Sequence, residues 1–395
     1  MLRKLLITKN KITNPFVTGG YIGPDYFCDR QNETDLLLRA ISSKRNLTLI
    51  SLRRMGKTGL LKHVRHHLGH LPKGPGKEQK PVAVIYVDLM PTMNGNDMMN
   101  TISSALLHLK QDEKSFLGKV LAVLATLRPK ISYDNLTGQP TMELKVDSPS
   151  DIQFGFDHLL RFISEIKQDM VFMFDEFQQI SQYPEKNMEN LLRTIIQSYP
   201  TIPFIFSGSS KHMLEPMFSA AGRPFYQSAE LMYLDKISAA DYSKFILGKF
   251  ESAGKKIDDE AISRIFTWTR LHTFYVQDVC NLLFEADRKL IDQDLISQVF
   301  HRILTSHEPL FASYRNLIPG HQFRLLQAIA VEDGIAQPTS GAFIKDHMLT
   351  SASSVAASLK SLSEKEMIVQ SGNKWVVYDV FFSRWLEYQY GSKWQ

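Results

Sequence analysis

Cysteine is scarce in this sequence, which has only Cys28 and Cys280 among 395 residues. Two cysteines cannot build a disulfide framework, and their separation is not that of a metal site. The scarcity predicts a reducing compartment, which we take to be the cytoplasm. No apolar run approaches the ~18 residues of a membrane span, and the apolar segment near the amino terminus is too short for a signal peptide. We therefore expect a cytoplasmic protein with no membrane partner.

Acidic residues are scarce in the first 80 positions, which hold 5 Asp and Glu against 16 Lys and Arg. This excess of positive charge suits a triphosphate, and it also suits nucleic acid. Four histidines lie in the same region, at positions 63, 66, 67 and 70. We interpret them as a solvated helix face rather than as ligands.

The stretch 47–58 has the pattern of a strand, a sharp turn and the start of a helix. Leu47–Ile50 is typical of a buried strand, and an apolar stripe after residue 59 indicates the helix. Such a turn aims backbone N–H groups and the positive end of a helix at an anion. A basic turn without a ligand would have the same pattern, so the turn alone leaves both interpretations open.

The residues of this turn fit a phosphate-binding loop. Gly56 would let the backbone approach an anion, Lys57 would reach the β- and γ-phosphates, and the Thr58 hydroxyl would bind Mg²⁺. The other predicted nucleotide-binding residues of the loop are Arg54, Met55 and Gly59. Ser51 stands where the eight-residue pattern has its first glycine, which would carry a cost if that position required a positive φ.

A second pattern consists of five apolar residues, 170–174, that run into Asp175 and Glu176. A parallel central strand is buried on both faces and is therefore continuously apolar, and open α/β sheets bind ligands at the carboxyl ends of their strands. Asp175 would hold Mg²⁺, largely through water, and Glu176 would orient and polarise the attacking water. A solvated Asp-Glu pair is the alternative, but the two motifs in this order predict ATP and Mg²⁺ as ligands.

Strands and helices alternate through residues 1–235, which predicts an α/β P-loop domain with a parallel sheet and helices on both faces. Residues 236–310 are almost wholly helical and indicate a small helical lid domain. Residues 311–395 contain three short helices and a hairpin, the pattern of a winged helix-turn-helix domain. The sequence therefore predicts three domains with these boundaries.

Several further residues are candidates for nucleotide contacts. Arg30 lies in an aromatic segment that would cover the adenine ring or would only pack against the sheet. Ser207 or Ser209, after an apolar strand, would sense the γ-phosphate or fix the attacking water, unless they simply form a turn. Arg223 would act as a catalytic arginine finger, in cis or from a neighbouring subunit, although helix capping is the more ordinary interpretation. Arg270 is a candidate second cationic sensor.

The third helix of the predicted winged-helix domain has a polar outer face. The residues expected on that face are Ser353, Ser354, Ser358 and Lys360. Base readout usually employs Arg, Asn or Gln at such positions. The composition therefore favours a regulatory or intramolecular contact slightly over sequence-specific DNA binding.

Five segments together resemble the archaeal-type ATPase family, in the STAND branch of the AAA-like P-loop ATPases, which also occurs in bacteria such as the Bacteroides group. The segments are 26–30, 52–58, 174–178, 207–209 and 379–386. The resemblance covers nearly the whole chain and implies ATP and Mg²⁺ at Gly56, Lys57, Thr58 and Asp175. It implies Glu176 as the catalytic base, and a winged helix that binds DNA or closes over the nucleotide. It also implies a switch in which the ATP state controls oligomerisation or contact with a partner.

Two hypotheses from different classes follow. The leading one is a slow Mg-dependent ATPase that passes its nucleotide state to a protein partner, to further copies of itself or to DNA. The alternative is a DNA-binding winged-helix protein in which nucleotide is a static ligand or absent. Binding to duplex DNA across a salt series separates them, because phosphate contacts weaken as salt rises.

Overall fold

A computed structural model of the chain describes residues 14–70, 82–109, 130–133, 140–143, 148–166 and 169–391. The chain divides into two compact units. The first, which we call the sheet unit, is Gly19–Lys236. The second, which we call the helical unit, starts at Ile237 and also includes the segment that ends at Thr18. Within the described ranges, no helix is long and apolar enough to cross a membrane.

The sheet unit is built on a five-stranded parallel sheet. The strands of this unit are β1 (Leu47–Ile50), β2 (Ala83–Asp88), β3 (Lys130–Tyr133), β4 (Pro140–Glu143), β5 (Met170–Asp175), β6 (Phe204–Gly208) and β7 (Glu230–Tyr233). The sheet has the order β2-β5-β6-β1-β7, and its pairings are parallel. Strands β3 and β4 form a separate antiparallel pair. The predicted parallel α/β sheet is confirmed.

Helices cover both faces of this sheet. The helices of the sheet unit are α1 (Gln31–Ser42), α2 (Lys57–Gly69), α3 (Gly95–Leu107), α4 (Pro149–Glu165), α5 (Met188–Gln197) and α6 (Lys211–Ser219). Alternate side chains of a strand point to opposite faces. Phe172 and Phe174 of β5 therefore pack in the core formed with α3, α4 and α5, whereas Val171 and Met173 pack in the core formed with α1 and α2. This double coverage explains why β5 is buried at every position.

The register of the strands brings their polar ends together. Asp88 at the end of β2 pairs with Asp175 at the end of β5, and Phe174 pairs with Phe206, the residue before Ser207. Strand β1 ends beside Gly208 and leads into the 51–56 turn. The sheet thus gathers the turn, two carboxylates and a serine at one edge.

The helical unit starts with four helices and two short strands. They are α7 (Ala239–Ser252), β8 (Lys256–Ile257), α8 (Asp259–Thr269), α9 (Thr273–Glu285), β9 (Leu290–Ile291) and α10 (Gln293–Leu317). Side chains of Ser238, Asp258 and Asp292 cap α7, α8 and α10 by accepting a backbone N–H of the first turn, which stabilises each helix start.

Residues 14–18 do not follow the predicted domain boundary, which places them in the P-loop domain. Phe16 is buried, and its ring packs on Phe250 with 5.1 Å between centroids. Asn14 donates its side-chain amide to the carbonyl of Asn281 at 2.9 Å. The segment therefore belongs to the helical unit, because burial of its aromatic ring there outweighs its place in the sequence.

The end of the chain forms a winged helix. Its elements are α11 (Gly320–Val331), α12 (Gly341–Asp346), α13 (Ala352–Glu364), β10 (Ile368–Ser371), β11 (Lys374–Val377) and α14 (Val380–Tyr390). The two strands form an antiparallel hairpin, as predicted. On α13, Ser353 and Lys360 are exposed, but Ser358 is buried because it lies on the same stripe as Val355 and Leu362. The expectation that Ser358 faces outward is therefore wrong.

The predicted boundary between residues 310 and 311 falls inside a helix. Helix α10 runs without a break through Pro309. Phe311 packs against Phe382 and Trp385 of α14, with ring centroids 5.3 and 6.0 Å apart. This aromatic packing continues the helix past the predicted boundary.

Arg270 joins the helical region to the winged helix within this unit. It follows α8 in a left-handed conformation, with φ 52°. Its guanidinium donates to Asp333 Oδ1 at 2.7 and 3.1 Å, to the Val377 carbonyl at 3.1 Å and to Ser383 Oγ at 2.8 Å. Burial alone would raise the pKa of Asp333, but Arg270 and Arg384 outweigh it and hold that pKa below its usual value. The interpretation of Arg270 as a nucleotide sensor is corrected, since these acceptors engage its side chain.

Replacing Arg270 by alanine is expected to lower the free energy of unfolding of the helical unit by about 2–3 kcal/mol, because three acceptors lose a charged donor. Denaturant titration followed by tryptophan fluorescence measures this, since all four tryptophans lie after residue 236. Arg302→Ala, at an exposed position of α10, is the matched control and should stay within about 0.5 kcal/mol of the parent. Equal stabilities of the two variants would contradict the role given to Arg270.

Candidate active site

The turn between β1 and α2 has the backbone of a tight anion-binding loop. Arg54 and Gly56 adopt positive φ values of 65° and 96°, and α2 begins at Lys57. Ser51 lies outside the left-handed region, and its hydroxyl donates to the carbonyl of Leu52 at 2.9 Å. The replacement of the first glycine by Ser51 therefore costs no backbone strain.

The side chains of this loop divide between the core and the surface. Met55 is buried in the core formed with α1 and α2, so only its backbone is available to a phosphate. Lys57 is also buried, at 4% exposure. Arg54 is exposed. Gly59 lies in the first turn of α2, where a Cβ atom would come 3.4 Å from the ring of Phe27.

Asp175 is the hub of the candidate site. It is 2% exposed, and its Oδ2 accepts hydrogen bonds from Thr58 Oγ1 at 2.7 Å and from the Tyr86 hydroxyl at 2.8 Å. Its Oδ1 accepts from Ser207 Oγ and from the Glu176 N–H at 3.1 Å. The structure thus brings the predicted metal-binding pair, Thr58 and Asp175, into direct contact.

Tyr86 and Asp88 belong to this cluster, and sequence reasoning gave them no role. Burial, together with the charge of Asp175, raises the pKa of Tyr86, which keeps its hydroxyl a donor to that carboxylate. Burial also raises the pKa of Asp88, with smaller contributions from Asp175 and Glu176. A tyrosine inside an apolar strand, two residues before the carboxylate that ends the strand, is the signal that would have identified both.

Glu176 is held in a single orientation. It adopts a left-handed conformation, with φ 54°, at the start of the 3₁₀ turn Phe177–Gln182. Its Oε2 accepts hydrogen bonds from Gln178 Nε2 at 2.6 Å, from Ser209 Oγ at 2.8 Å and from the Ser209 N–H at 3.1 Å. Ser209 therefore lies against the proposed base.

Ser207 lies beside Asp175 in this structure. Its side chain is fully buried, and its hydroxyl donates to Asp175. Ser207 therefore supports the carboxylate here, and its contact with the γ-phosphate stays a prediction. Of the two serines considered from the sequence, Ser209 is the half-exposed one.

The two other predicted arginines are both paired. Arg223 donates to both carboxylate oxygens of Glu189 on α5, with Nε–Oε2 3.2 Å. Arg30 is buried at the start of α1 and pairs with Glu33 at 2.8 Å. One terminal nitrogen of Arg30, however, has no hydrogen-bond partner within the described residues.

An aromatic layer lies on the first turns of α2. Phe27 stacks on His63 with 4.3 Å between ring centroids, and the Tyr21 hydroxyl lies 3.0 Å from Nδ1 of that histidine. Burial, followed by the charges of His67 and His66, lowers the pKa of His63 to about 4. The prediction of a solvated histidine face is therefore wrong for His63, which is a neutral, buried residue of the phosphate-loop helix itself.

Comparison with known proteins adds information on the fold. Residues 309–388 match a family described as "Probable winged helix domain". Among curated proteins, none matches the sequence.

Solved structures cover almost the whole chain. The Walker-type ATPase PABY2304 of Pyrococcus abyssi is similar with a TM-score of 0.64 and 15% identity, over 94% of this chain and 99% of that chain. The ORC2 protein of Aeropyrum pernix, in ADPNP-ADP complexes, gives 0.57 and 14% over 95% and 98%. The ORC1 protein of the same organism, in complex with DNA, gives 0.51 and 13% over 95% and 96%.

These similarities establish the class to which the fold belongs. The chain has the fold of the AAA+ Walker-type ATPases, followed by a carboxyl-terminal winged-helix domain. Within that class it is similar to the Pyrococcus ATPase and to the two Aeropyrum ORC proteins. The fold that the sequence predicts is confirmed.

Proposed function

We propose that this protein binds ATP with Mg²⁺, hydrolyses it slowly and passes its nucleotide state to a partner. The observation that carries the proposal is the 2.7 Å hydrogen bond between Thr58 and Asp175. It joins two motifs 117 residues apart, at the sheet edge where parallel α/β folds bind their ligands. The contact supports the proposal because it places a hydroxyl and a carboxylate, both suitable ligands of Mg²⁺, side by side.

The loop at the start of α2 would hold the phosphates. The first N–H groups of a helix and its dipole attract anions, and Gly56 lets the backbone approach closely. Lys57 would contribute its ammonium group to the β- and γ-phosphates. The proposed loop is completed by Arg54, Met55 and Gly59. Arg30, with its unpaired nitrogen, is the proposed contact outside the loop.

The residues at the sheet edge fit Mg²⁺. That ion prefers hard oxygen ligands and keeps several waters, and the Thr58 hydroxyl and the Asp175 carboxylate supply such oxygens side by side. When bound, the ion would offset negative charge on the phosphate oxygens. Tyr86 and Ser207 hold the carboxylate from its other sides and so fix its direction.

Glu176 is the proposed catalytic base. Its fixed carboxylate would orient the attacking water and accept its proton. Arg223 is the proposed arginine finger, in cis or from a neighbouring subunit. Because Arg223 is paired with Glu189 in this structure, that role requires the pair to open.

Calorimetric titration with ATP and Mg²⁺, together with an assay of phosphate release, tests the proposal. Heat of binding and slow release of phosphate are expected. If no heat of ATP binding is measured, the proposed ATPase function fails, and the proposed STAND-like switch fails with it.

The proposed partner is a protein or a further copy of this chain, and the proposed location is the cytoplasm. Both cysteines are buried free thiols, and burial raises the pKa of Cys280. Such thiols suit a reducing compartment. Size measurements with and without ATP test whether nucleotide controls self-association.

A winged helix also supports the second candidate function, DNA binding. Lys360 on α13 and Lys374 in the hairpin are exposed, and the similar ORC1 protein is described in complex with DNA. Lys360 is the only cationic residue of α13, so such binding would rest on phosphate contacts rather than on base readout.

On this alternative, affinity for a mixed-sequence duplex is expected to fall about 10- to 40-fold between 50 and 200 mM salt, as two or three phosphate contacts would cause. Fluorescence anisotropy, with and without ATP, measures it. Lys360→Ala should reduce the salt slope by about one unit, whereas Lys244→Ala, exposed on α7, should not. No binding at low salt would remove DNA as a partner.

A further inference from the structure

Gln178 is a buried amide beside the proposed base, and the mechanism above does not use it. It is the second residue of the 3₁₀ turn that follows Glu176, and it is 7% exposed. Its Nε2 donates to Oε2 of Glu176 at 2.6 Å, which is the shortest of the three hydrogen bonds to that oxygen. Gln178 is thus in a position to set the direction of the carboxylate.

The amide lies directly against the backbone of Gly208. A Cβ atom built on Gly208 would come 2.0 Å from Oε1 and 3.1 Å from Cδ of Gln178. Only glycine at the end of β6 therefore leaves room for the amide in its present position. The space left at Gly208 therefore allows the Gln178 amide to reach Glu176.

Oε1 of Gln178 has no hydrogen-bond partner within the described residues. A buried acceptor without a donor costs free energy, and such groups in folded proteins call for an explanation. Turning the amide over would not relieve it, because an oxygen would then face the Glu176 carboxylate. The position of the amide thus leaves Oε1 of Gln178 without a donor but places its Nε2 donor on Glu176.

All three donors converge on one oxygen of Glu176. Gln178 and Ser209 bind Oε2, while Oε1 makes no hydrogen bond among the described contacts. A carboxylate held by one oxygen presents the other in a fixed direction. A general base gains rate from such pre-set geometry, and small misplacements of catalytic groups are costly.

We propose that Gln178 is a positioning residue, which fixes Oε2 of Glu176 so that Oε1 faces the attacking water. This inference rests on the proposed ATPase function. It assigns to the glutamine no contact with ATP, so its loss should act on the chemical step and not on nucleotide affinity.

Gln178→Leu, which keeps the volume but removes the donor, is expected to lower kcat at least about tenfold and to leave the Kd and KM for ATP unchanged. Gln179→Leu is the matched control, since the neighbouring glutamine donates to the carbonyl of Thr92 instead, and it should keep the parent kcat. Gly208→Ala displaces the amide without removing it and should also lower kcat. Circular dichroism checks that each variant is folded.

A double variant separates positioning from a merely structural effect. If Gln178 acts only through the base, adding Gln178→Leu to Glu176→Gln should cause no further loss of kcat. A further loss as large as that of the single variant would overturn the inference, as would a Gln178→Leu protein with the parent rate. Either result leaves the ATPase proposal standing if the parent protein hydrolyses ATP. A parent protein that does not hydrolyse ATP would overturn both.

Discussion

Glu176→Gln is expected to bind ATP with the affinity of the parent and to hydrolyse it about 100- to 10,000-fold more slowly, the range for loss of a general base. The amide keeps the size of the carboxylate but cannot accept the proton of the attacking water. The side chain lies outside the proposed phosphate loop, so binding should survive. Calorimetry with ATP and a phosphate-release assay measure the two quantities separately.

Glu165→Gln is the matched control for this variant, because Glu165 is exposed at the end of α4. It should bind and hydrolyse ATP as the parent does. Equal rates of ATP hydrolysis for Glu176→Gln and the parent would contradict the assignment of Glu176 as the catalytic base. Loss of binding in Glu176→Gln would instead indicate that the carboxylate supports the loop and not the chemistry.

Lys57→Ala is expected to weaken ATP binding by at least about 30-fold, and hydrolysis should disappear with it. Lys57 is 4% exposed, so its ammonium would meet the phosphates in a site of low dielectric, where removing one partner of a charge pair costs about 2–5 kcal/mol. Calorimetric titration with Mg-ATP gives the affinity directly.

Arg65→Ala, at an exposed position of the same helix, removes a positive charge at a distance from the loop and serves as the control. It should retain the affinity of the parent. If Lys57→Ala and Arg65→Ala bind ATP equally well, the turn at residues 51–58 does not hold the triphosphate, and the proposed function fails.

The parts of the fold that sequence predicted well are those where local pattern and burial agree. The run from Met170 to Phe174 is apolar because both faces of β5 are covered. Its pattern therefore predicts a buried central strand. The winged-helix elements were also clear, since each of α12 and α13 begins at a serine cap. Local signals of this kind do not depend on the rest of the chain.

The parts that sequence missed depend on contacts between distant segments. Ser207 is the last residue but one of β6 and Ser209 follows the strand. Only the register of β6 decides that Ser207 faces Asp175 and Ser209 faces Glu176. Tyr86 became part of the site because β2 pairs with β5. Arg270 looked like a free cation in a turn, but its acceptors lie more than 60 residues further along the chain.

Contacts between distant segments also decide where residues 14–18 and the end of α10 pack. Phe16 has no local feature that separates it from the sheet unit, and its place is set by rings on α7 and α9. Helix α10 continues through Pro309, although proline lacks an N–H and crowds the preceding turn. Packing of Phe311 on α14 compensates for that loss.

The guanidinium of Arg384, 8% exposed, donates to the carbonyls of Trp268 and Thr267, at the end of a helix more than a hundred residues earlier. A fragment that began at residue 311 would lack those acceptors and would keep only residues 311–317 of α10. The winged helix is therefore not an autonomous module. Expressed alone it should be proteolytically fragile, whereas a fragment beginning at Ile237 should melt in one cooperative transition.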